Sequence, residues 1–444
     1  MADTYDQLEE TLREWHYLEL EERLSVFSAL PLERAEDLLD CMNALDQAEL
    51  LESMPAPERR VWLRYLDPDD LADVLMEVSE ERRDQMLQLL DERKRNEINA
   101  LLAYAEDDAG GLMNPRFARL RPDFTIEEAI RYLRKQSQSR ISLEHLYVLD
   151  EEQYLLGEVA LDSLFSARKE ELVRDIAESD IVTAPEDMDQ EEVGALFARY
   201  GLTAMPVVDS QGRMKGIITA DDIVDVIYEE TTEDAQKFGG MQALDDPYLR
   251  TGFWELVKKR AGWLVLLLLG EMLTASAMAN YETQLNAVWY LAVFVPLIIS
   301  SGGNSGSQAS TLVVRAMAMG EVRLIDWPVV LWRELRTGAV MGAIVGFVGM
   351  LRIVVWQMIF QNVYGPHFIG LALTVGVSLF GVVILGCCAG SMLPFILRLL
   401  KFDPASASAP FVATLVDVSG LVVYFSVASW FLAKAIAAAT GTPA

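Results

Sequence analysis

Pro296-Leu-Ile-Ile-Ser-Ser-Gly-Gly-Asn-Ser-Gly-Ser-Gln308 is a polar, glycine-rich stretch set inside an apolar run at 287–313. A segment needs about 20 predominantly apolar residues to cross a bilayer. Four further runs of that kind lie at 262–281, 337–359, 367–397 and 408–433. Buried helices of a soluble fold do not explain five such runs in succession with almost no charge. The sequence predicts a five-helix α-helical transmembrane domain over 261–444. Polar backbone at membrane depth is tolerated only where protein buries it or a water-filled cavity meets it. Two readings of 296–308 stay open: close helix packing through small residues, or the wall of a pore. Asn304 and Gln308 favour the pore, because packing does not require amides.

A second break in the apolar rule is Asp417, in Ala413-Thr-Leu-Val-Asp-Val-Ser-Gly420. A carboxylate near a helix centre costs about 2.5–3.5 kcal/mol on insertion scales. Asp417 is the only acid of the 408–433 run and has no base within a turn or two. A cation is the partner such a group calls for; a neutral, hydrogen-bonded carboxyl is the plainer alternative. Hydrated magnesium suits a single carboxylate, since it sheds water reluctantly and is held by one or two such groups. Lys258, Lys259 and Arg260 precede the first run, and the other basic connections fall around 315–336 and 398–401. The connections at 282–286 and 360–366 hold no Lys or Arg. By the positive-inside rule the N-terminus is cytosolic and the C-terminus outside.

The formal charge of −30, the 52% of hydrophobic residues and the mean hydropathy of +0.19 mix two unlike halves. From Gly262 onward seven acids face eight bases, so roughly −31 sits on residues 1–261. Such a field repels nucleic acid and attracts cations. No signal peptide precedes the acidic start, so this half is expected in the cytosol. Cys41, Cys387 and Cys388 have no metal spacing, and His16, His145 and His367 are scattered. No nucleophile–base set, P-loop or cofactor fingerprint appears, which argues against an enzyme.

Residues 1–105 read as an acidic helical domain. Short amphipathic runs (46–54, 57–66, 68–78, 80–90, 92–104) recur at an interval of about 11–12, which suggests a small superhelix. Asp67, Asp69, Asp70 and Asp73 open one of them, more acids than helix capping needs. Residues 106–171 and 172–240 hold two similar β-α-β-β-α units. The second has a helix Gln190–Tyr200, a strand Thr203–Asp209 and the ending Gly216-Ile-Ile-Thr-Ala-Asp-Asp-Ile223. The first has a helix Ile126–Lys135, a strand His145–Asp150 and Gly157-Glu-Val-Ala-Leu-Asp-Ser-Leu164. Both resemble the CBS domain, whose pairs sense ligands, often adenosine nucleotides.

With Ala105-Glu-Asp-Asp-Ala-Gly-Gly-Leu-Met-Asn-Pro115, the CBS pair, Gly302–Gln308 and Ala413–Asp417, nearly the whole chain resembles the MgtE family of bacterial magnesium channels. The resemblance implies a homodimer in the bacterial cytoplasmic (inner) membrane, with its pore on the dimer axis. It also implies an amphipathic plug helix over 245–260, about Pro247–Arg260. Asp417 matches the ion-binding carboxylate and Ala413 a carbonyl contributor. Gly303, Asn304 and Thr311 fall in the pore-facing stretch. Sensing acids match Asp189, Glu191, Asp222, Asp225, Glu230, Glu233 and Asp234, with Asp69 and Asp73 from the N-terminal domain. Two positions depart from the pattern: Ala409, where Asn is common, and Gly201, where the family has an acid.

Divalent ions neutralising acids at the joints between domains would lock a compact, closed form, so Mg2+ is expected both as cargo and as regulator. The alternative is a broader divalent (cobalt, manganese) channel or transporter under CBS control. No ATP is expected. At the family's nucleotide positions the chain has His145, Ala160, Asp162, Ser163 and Leu202, although Thr219 and Asp222 survive.

Overall fold

A computed structural model of the chain describes residues 15, 17–136, 143–244, 247–360 and 363–433. His16 and residues 245–246 of the expected plug lie outside the described residues. The chain divides into two compact units, Met1–Ile227 and Tyr228–Ala444.

The first unit opens on α1 (Leu20–Ala29), α2 (Leu32–Asp40), α3 (Ala44–Ser53) and α4 (Ala56–Tyr65). It continues with α5 (Pro68–Met76), α6 (Glu80–Gln88) and α7 (Glu92–Leu101), each helix starting 12 residues after the last. Leu38, Leu39, Leu50, Leu51, Leu63, Leu71 and Leu75 bury their side chains between them.

A repeated polar clamp holds this array. A helix leaves its last carbonyls without intrahelical partners. Here the fourth residue of a following helix reaches back to them. Arg23 Nε donates to the Trp15 and Leu18 carbonyls at 3.0 and 3.1 Å. Gln47 Nε2 donates to those of Leu39 and Met42 at 2.8 and 3.1 Å. Arg59 donates to Leu51 and Met54 at 2.7 and 2.8 Å. Arg83 reaches Leu75 at 2.7 Å, and Arg95 reaches Leu87 and Leu90, both at 2.9 Å. On the same grid positions 35 and 71 are Ala35 and Leu71. At the end of α4 the carbonyls of Arg64 and Leu66 accept from Lys94 Nζ of α7 instead.

After α8 (Ala109–Leu112) come two α/β units of the same plan. The first holds β1 (Ala118–Leu120), α9 (Ile126–Gln136), β2 (His145–Leu149), β3 (Leu155–Ala160), α10 (Leu161–Ser166) and α11 (Val173–Ile176). The second holds β4 (Ala184–Pro185), α12 (Gln190–Tyr200), β5 (Ala204–Val208), β6 (Met214–Thr219) and the start of α13 (Ala220–Phe238). In each sheet the first strand pairs parallel with the second, and the second antiparallel with the third. The register slips at the same place in both, at Val148/Leu149 and Val207/Val208. Gly201 ends α12 with φ 63°, a left-handed cap that glycine adopts at least cost. That accounts for glycine where an acid was expected.

The second unit contains the end of α13, α14 (Phe253–Asn280), α15 (Glu282–Ala287) and α16 (Tyr290–Ala318), then α17 (Trp327–Phe360), α18 (Phe368–Leu399) and α19 (Ala409–Phe431). No separate plug helix occupies 247–260. Residues 253–260 are the first turns of α14, and the helix that leaves the second α/β unit is α13, 19 residues long. The cause is local. Gly239-Gly240 stops α13, Gly240 taking φ 75°, whereas no proline or glycine interrupts 253–261.

Among the described residues four helices are long and apolar enough to cross a membrane: Phe253–Asn280, Leu324–Phe360, Phe368–Leu399 and Ala409–Phe431. α16 is 29 residues long, but the Ser, Gly, Asn and Gln of 300–308 lower its hydropathy. It is nonetheless continuous helix through that stretch. Its small residues press against α18: a Cβ built on Gly386 would lie 2.5 Å from the Gly302 carbonyl oxygen, and one on Gly390 would collide with Gly306.

Gly390→Val should therefore destabilise the detergent-solubilised protein by about 1–3 kcal/mol, the usual range for overpacking. Gly262→Ala, where an added Cβ meets nothing within 4 Å, should leave the melting temperature unchanged or slightly raised. Thermal unfolding followed by size-exclusion chromatography checks both.

Candidate functional site

α16 has two edges of opposite character. Gly302, Gly303, Ser305, Gly306, Ala309 and Ser310 are buried. Ser300, Asn304, Gln308 and Thr311 are exposed, and their spacing of four, four and three places them along one helical face. Packing and polar display thus occupy opposite sides of one helix. Asn304 Nδ2 donates to Ser300 Oγ at 3.4 Å, and Thr311 Oγ1 to the Ser307 carbonyl at 2.8 Å.

α19 is fixed to α16 at both ends. Ser307 Oγ donates to the Ala409 carbonyl at 3.1 Å and Ser310 Oγ to that of Ala407 at 3.0 Å. Near the far end Tyr424 donates its hydroxyl to the Leu291 carbonyl at 3.0 Å. Between these ties Gly303 faces both expected residues of the last span. A Cβ at 303 would lie 3.2 Å from Ala413 Cβ and 3.7 Å from Asp417 Oδ1. The structure brings Gly303, Ala413 and Asp417 together, with Asn304 and Thr311 on the adjoining open face. Asp417 is 9% exposed. Its carboxyl lies within hydrogen-bond reach of Glu271 on α14, which the sequence reading did not single out.

A second concentration of carboxylates lies in the first unit. α5 and α13 both bring acidic N-terminal turns to it, Asp69 and Asp70 on one, Asp221 and Asp222 on the other. Asp69 is 8% exposed, and its Oδ1 accepts from Asn114 Nδ2 at 3.1 Å. Asp222 caps its own helix, accepting from the Thr219 amide and hydroxyl at 3.1 and 2.7 Å. Burial, then the neighbouring charges of Asp70, Asp222 and Asp67, hold the Asp69 carboxyl well above the usual range. Asp70 is pushed up to about 7 by burial and then by Asp222, Asp67, Asp40 and Asp221. Asp222 rises to about 6 through burial, opposed by the Thr219 hydrogen bonds and assisted by Asp221 and Asp225. Asp225 is raised by burial and by Asp221. These groups are uncomfortable as charges, and a cation would relieve them.

The remaining expected sensors fall elsewhere. Asp73 lies one turn along α5. Asp189 caps α12, accepting from the Glu191 amide at 2.9 Å, and Glu191 follows it in that first turn. Glu230, Glu233 and Asp234 belong to the second unit. There Lys237 is paired with Glu233 and, at 2.8 Å, with Asp403. Asp234 is raised to about 6 by burial and by Asp403, with Lys237 pulling the other way. Among the described residues no three metal-ligating side chains close into a preformed cage.

The family resemblance points to Asp69 and Asp222 but not to Asp70, although the Asp67–Asp73 quartet signals it. Nothing local announces Glu271, Lys237 or Asp403, whose roles depend on partners distant in sequence.

Comparison with known proteins agrees with this layout. Residues 295–427 match the MgtE family, described as divalent cation transporters. Residues 6–107 match the MgtE intracellular N domain, and 109–170 and 173–229 match CBS domains. The magnesium transporter MgtE of Thermus thermophilus is 39% identical over 94% of this chain and 91% of its own. Those of Enterococcus faecalis and Bacillus subtilis are each 30% identical over 89% of this chain and 93% of theirs. A solved cytosolic domain of the Mg2+ channel MgtE in complex with ATP aligns with a TM-score of 0.47 and 39% identity, over 49% of this chain and 90% of that one. Domain order and end-to-end similarity place the chain in the MgtE family of magnesium transporters, membrane proteins that are not enzymes.

Proposed function

We propose that the protein is a homodimeric, magnesium-selective channel of the bacterial cytoplasmic membrane, closed by intracellular magnesium. The observation that carries this reading is the exposed polar edge of α16, Ser300, Asn304, Gln308 and Thr311, beside the Asp417 carboxylate. Amides and hydroxyls turned toward lipid are costly. A second copy of the chain against this edge turns it into a water-filled path with one Asp417 from each side. α16 is then the second of five spans, because its polar edge meets water. The basic connections set the N-terminus inside and the C-terminus outside. Magnesium enters with much of its hydration shell, so few protein ligands suffice.

Closure follows from the cytosolic acids. Without a divalent ion, Asp69, Asp70, Asp222 and Asp225 repel one another. Magnesium screens them and favours the compact form. Asp73, Asp189, Glu191, Glu230, Glu233 and Asp234 add weaker sites. Moving a gate from 1:99 to 99:1 takes about 5.5 kcal/mol of differential binding, more readily supplied by several such sites than by one. ATP has no part in this reading. His145 is held by Glu158 at 2.5 Å and Thr203 at 2.8 Å, so its ring is engaged where a base would stack, and Leu202 supplies no aromatic face.

Asp417→Asn should abolish magnesium uptake by proteoliposomes while the protein still elutes as a dimer. Normal uptake by that variant would sink the pore assignment. Cobalt and manganese uptake in the same vesicles separates a selective channel from a broad one.

Asp70 and Asp222 bind protons more tightly folded than unfolded. Their stabilising contribution is complete below the ordinary aspartate value of 3.8 and is lost as pH rises through about 6 and 7. Without magnesium the cytosolic half should thus be cut faster by protease at pH 8 than at pH 5.5. Magnesium should protect strongly at pH 8 and little at pH 5.5. Equal protection at both would count against the acid cluster as sensor.

Calorimetry of the full-length protein with ATP should show no binding tighter than about 1 mM, near −4.1 kcal/mol. A tighter site would overturn magnesium-only control.

A further inference from the structure

One face of α14 carries polar groups that the pore as described does not use. Glu271 is half-buried, and its carboxyl lies within hydrogen-bond reach of Asp417. Thr274, one turn further along the same face, is 8% exposed. Its hydroxyl oxygen is buried with no hydrogen-bond partner. Other hydroxyls of this and neighbouring spans donate to a carbonyl of the preceding turn, as Ser276, Thr311, Thr414 and Ser426 do. An unsatisfied buried hydroxyl costs about 1–3 kcal/mol, so its position needs a reason.

The register of α14 on α19 supplies one. A Cβ on Gly270 would meet Thr414 Cγ2 at 2.6 Å, so the helices touch there backbone to side chain. Further along, the rings of Tyr281 and Phe425 stack with centroids 4.6 Å apart. The two contacts share one offset in sequence, so the helices run parallel and in step. That register sets Thr274 level with Val418, beside Asp417. Glu271 thus approaches the carboxylate from the first span, with Thr274 one turn along the same helix. Gly303, whose missing Cβ would stand 3.7 Å from Asp417 Oδ1, leaves room before it.

We infer that Glu271 and Thr274 complete the ion site of Asp417, so that a divalent cation meets two carboxylates and a hydroxyl from each chain. This rests on the pore reading above and goes beyond it by naming a ligand pair from the first span. Two carboxylates balance the charge of a divalent ion, and magnesium is commonly held by one or two of them with its remaining positions filled by water. The orphan hydroxyl then acts as a ligand or accepts a hydrogen bond from bound water. A two-carboxylate site holds divalent ions more tightly, and rejects monovalent ones more strongly, than one carboxylate does.

The test is magnesium uptake by proteoliposomes of the full-length protein as a function of external magnesium. Wild type, Glu271→Gln, Glu271→Asp, Thr274→Val and Asp417→Asn are compared, each first checked for monodispersity. Glu271→Gln should raise the half-saturating concentration about tenfold, the lower end of what loss of a supporting group does to metal affinity. Glu271→Asp should recover most of that loss, and Thr274→Val should show a smaller shift in the same direction. A purely structural role would lower the maximal rate and leave half-saturation in place. An unmoved half-saturating concentration in Glu271→Gln overturns the inference. Should that variant fail to fold, an unmoved value in Thr274→Val does so. Asp417→Asn keeps the two claims separate. If it conducts normally the pore reading fails, whereas if it is dead while Glu271→Gln saturates like wild type, only the role of the first span is lost.

Discussion

The contact of α16 with α18 at Gly302–Gly386 and Gly306–Gly390 is the constraint on which the membrane half turns. Side chains cannot fit between these backbones, so the rotation of α16 about its own axis is fixed by sterics. Once that edge is buried, the period of the helix dictates that Ser300, Asn304, Gln308 and Thr311 emerge on the other side. Buried Ser310 and half-buried Ser307 spend their hydroxyls on the carbonyls of Ala407 and Ala409 at the start of α19. In doing so they carry Asp417 to its place beside Gly303. Loss of the glycine contact would therefore disturb the carboxylate by rotating the helix that positions it, without touching the carboxylate itself.

The acidic half obeys a different economy. Helix N-termini favour carboxylates, and α5 and α13 each obey that local preference. Bringing two such ends together turns two favourable local choices into one unfavourable long-range one. Burial makes the conflict stronger, because charges out of water are screened less. Around Lys237 the conflict is partly settled from within, by a cation shared between Glu233 and Asp403. In the first unit burial raises Asp69, Asp70 and Asp222, and neighbouring aspartates raise each of them further.

Periodic features were readable in the sequence. The interval of the short N-terminal helices, the β-α-β-β-α plan of both CBS units and α12 at Gln190–Tyr200 follow from local pattern and punctuation. Asp417 stood out because a charge in an apolar run has few explanations. Features set by partners distant in sequence were not readable. The plug helix expected at 247–260 merged with the first span because nothing there stops a helix, while the glycines that end α13 lie just upstream. Among the described residues four of the five apolar runs form helices apolar enough to cross a membrane on their own, while α16 trades hydropathy for close packing and a polar edge. Glu271 looked like one acid among seven in the second half. The register that sets it against Asp417 depends on Gly270 and Tyr281 meeting a helix more than a hundred residues away.

One of the two gaps in the clamp pattern of the first unit, at Leu71, can be read in the same physical terms. Every other polar clamp places an amide or guanidinium at the fourth position of its helix, and in α5 that position is Leu71, fully buried. A guanidinium there would stand within a turn of Asp67, Asp69, Asp70 and Asp73 and would pair with them permanently. The carbonyls it would have served, at the end of α4, are held by Lys94 from α7. The array keeps its mechanical continuity while the cation that secures it is supplied by another helix. The helix that carries Asp69, Asp70 and Asp73 thus has no guanidinium of its own among its acids.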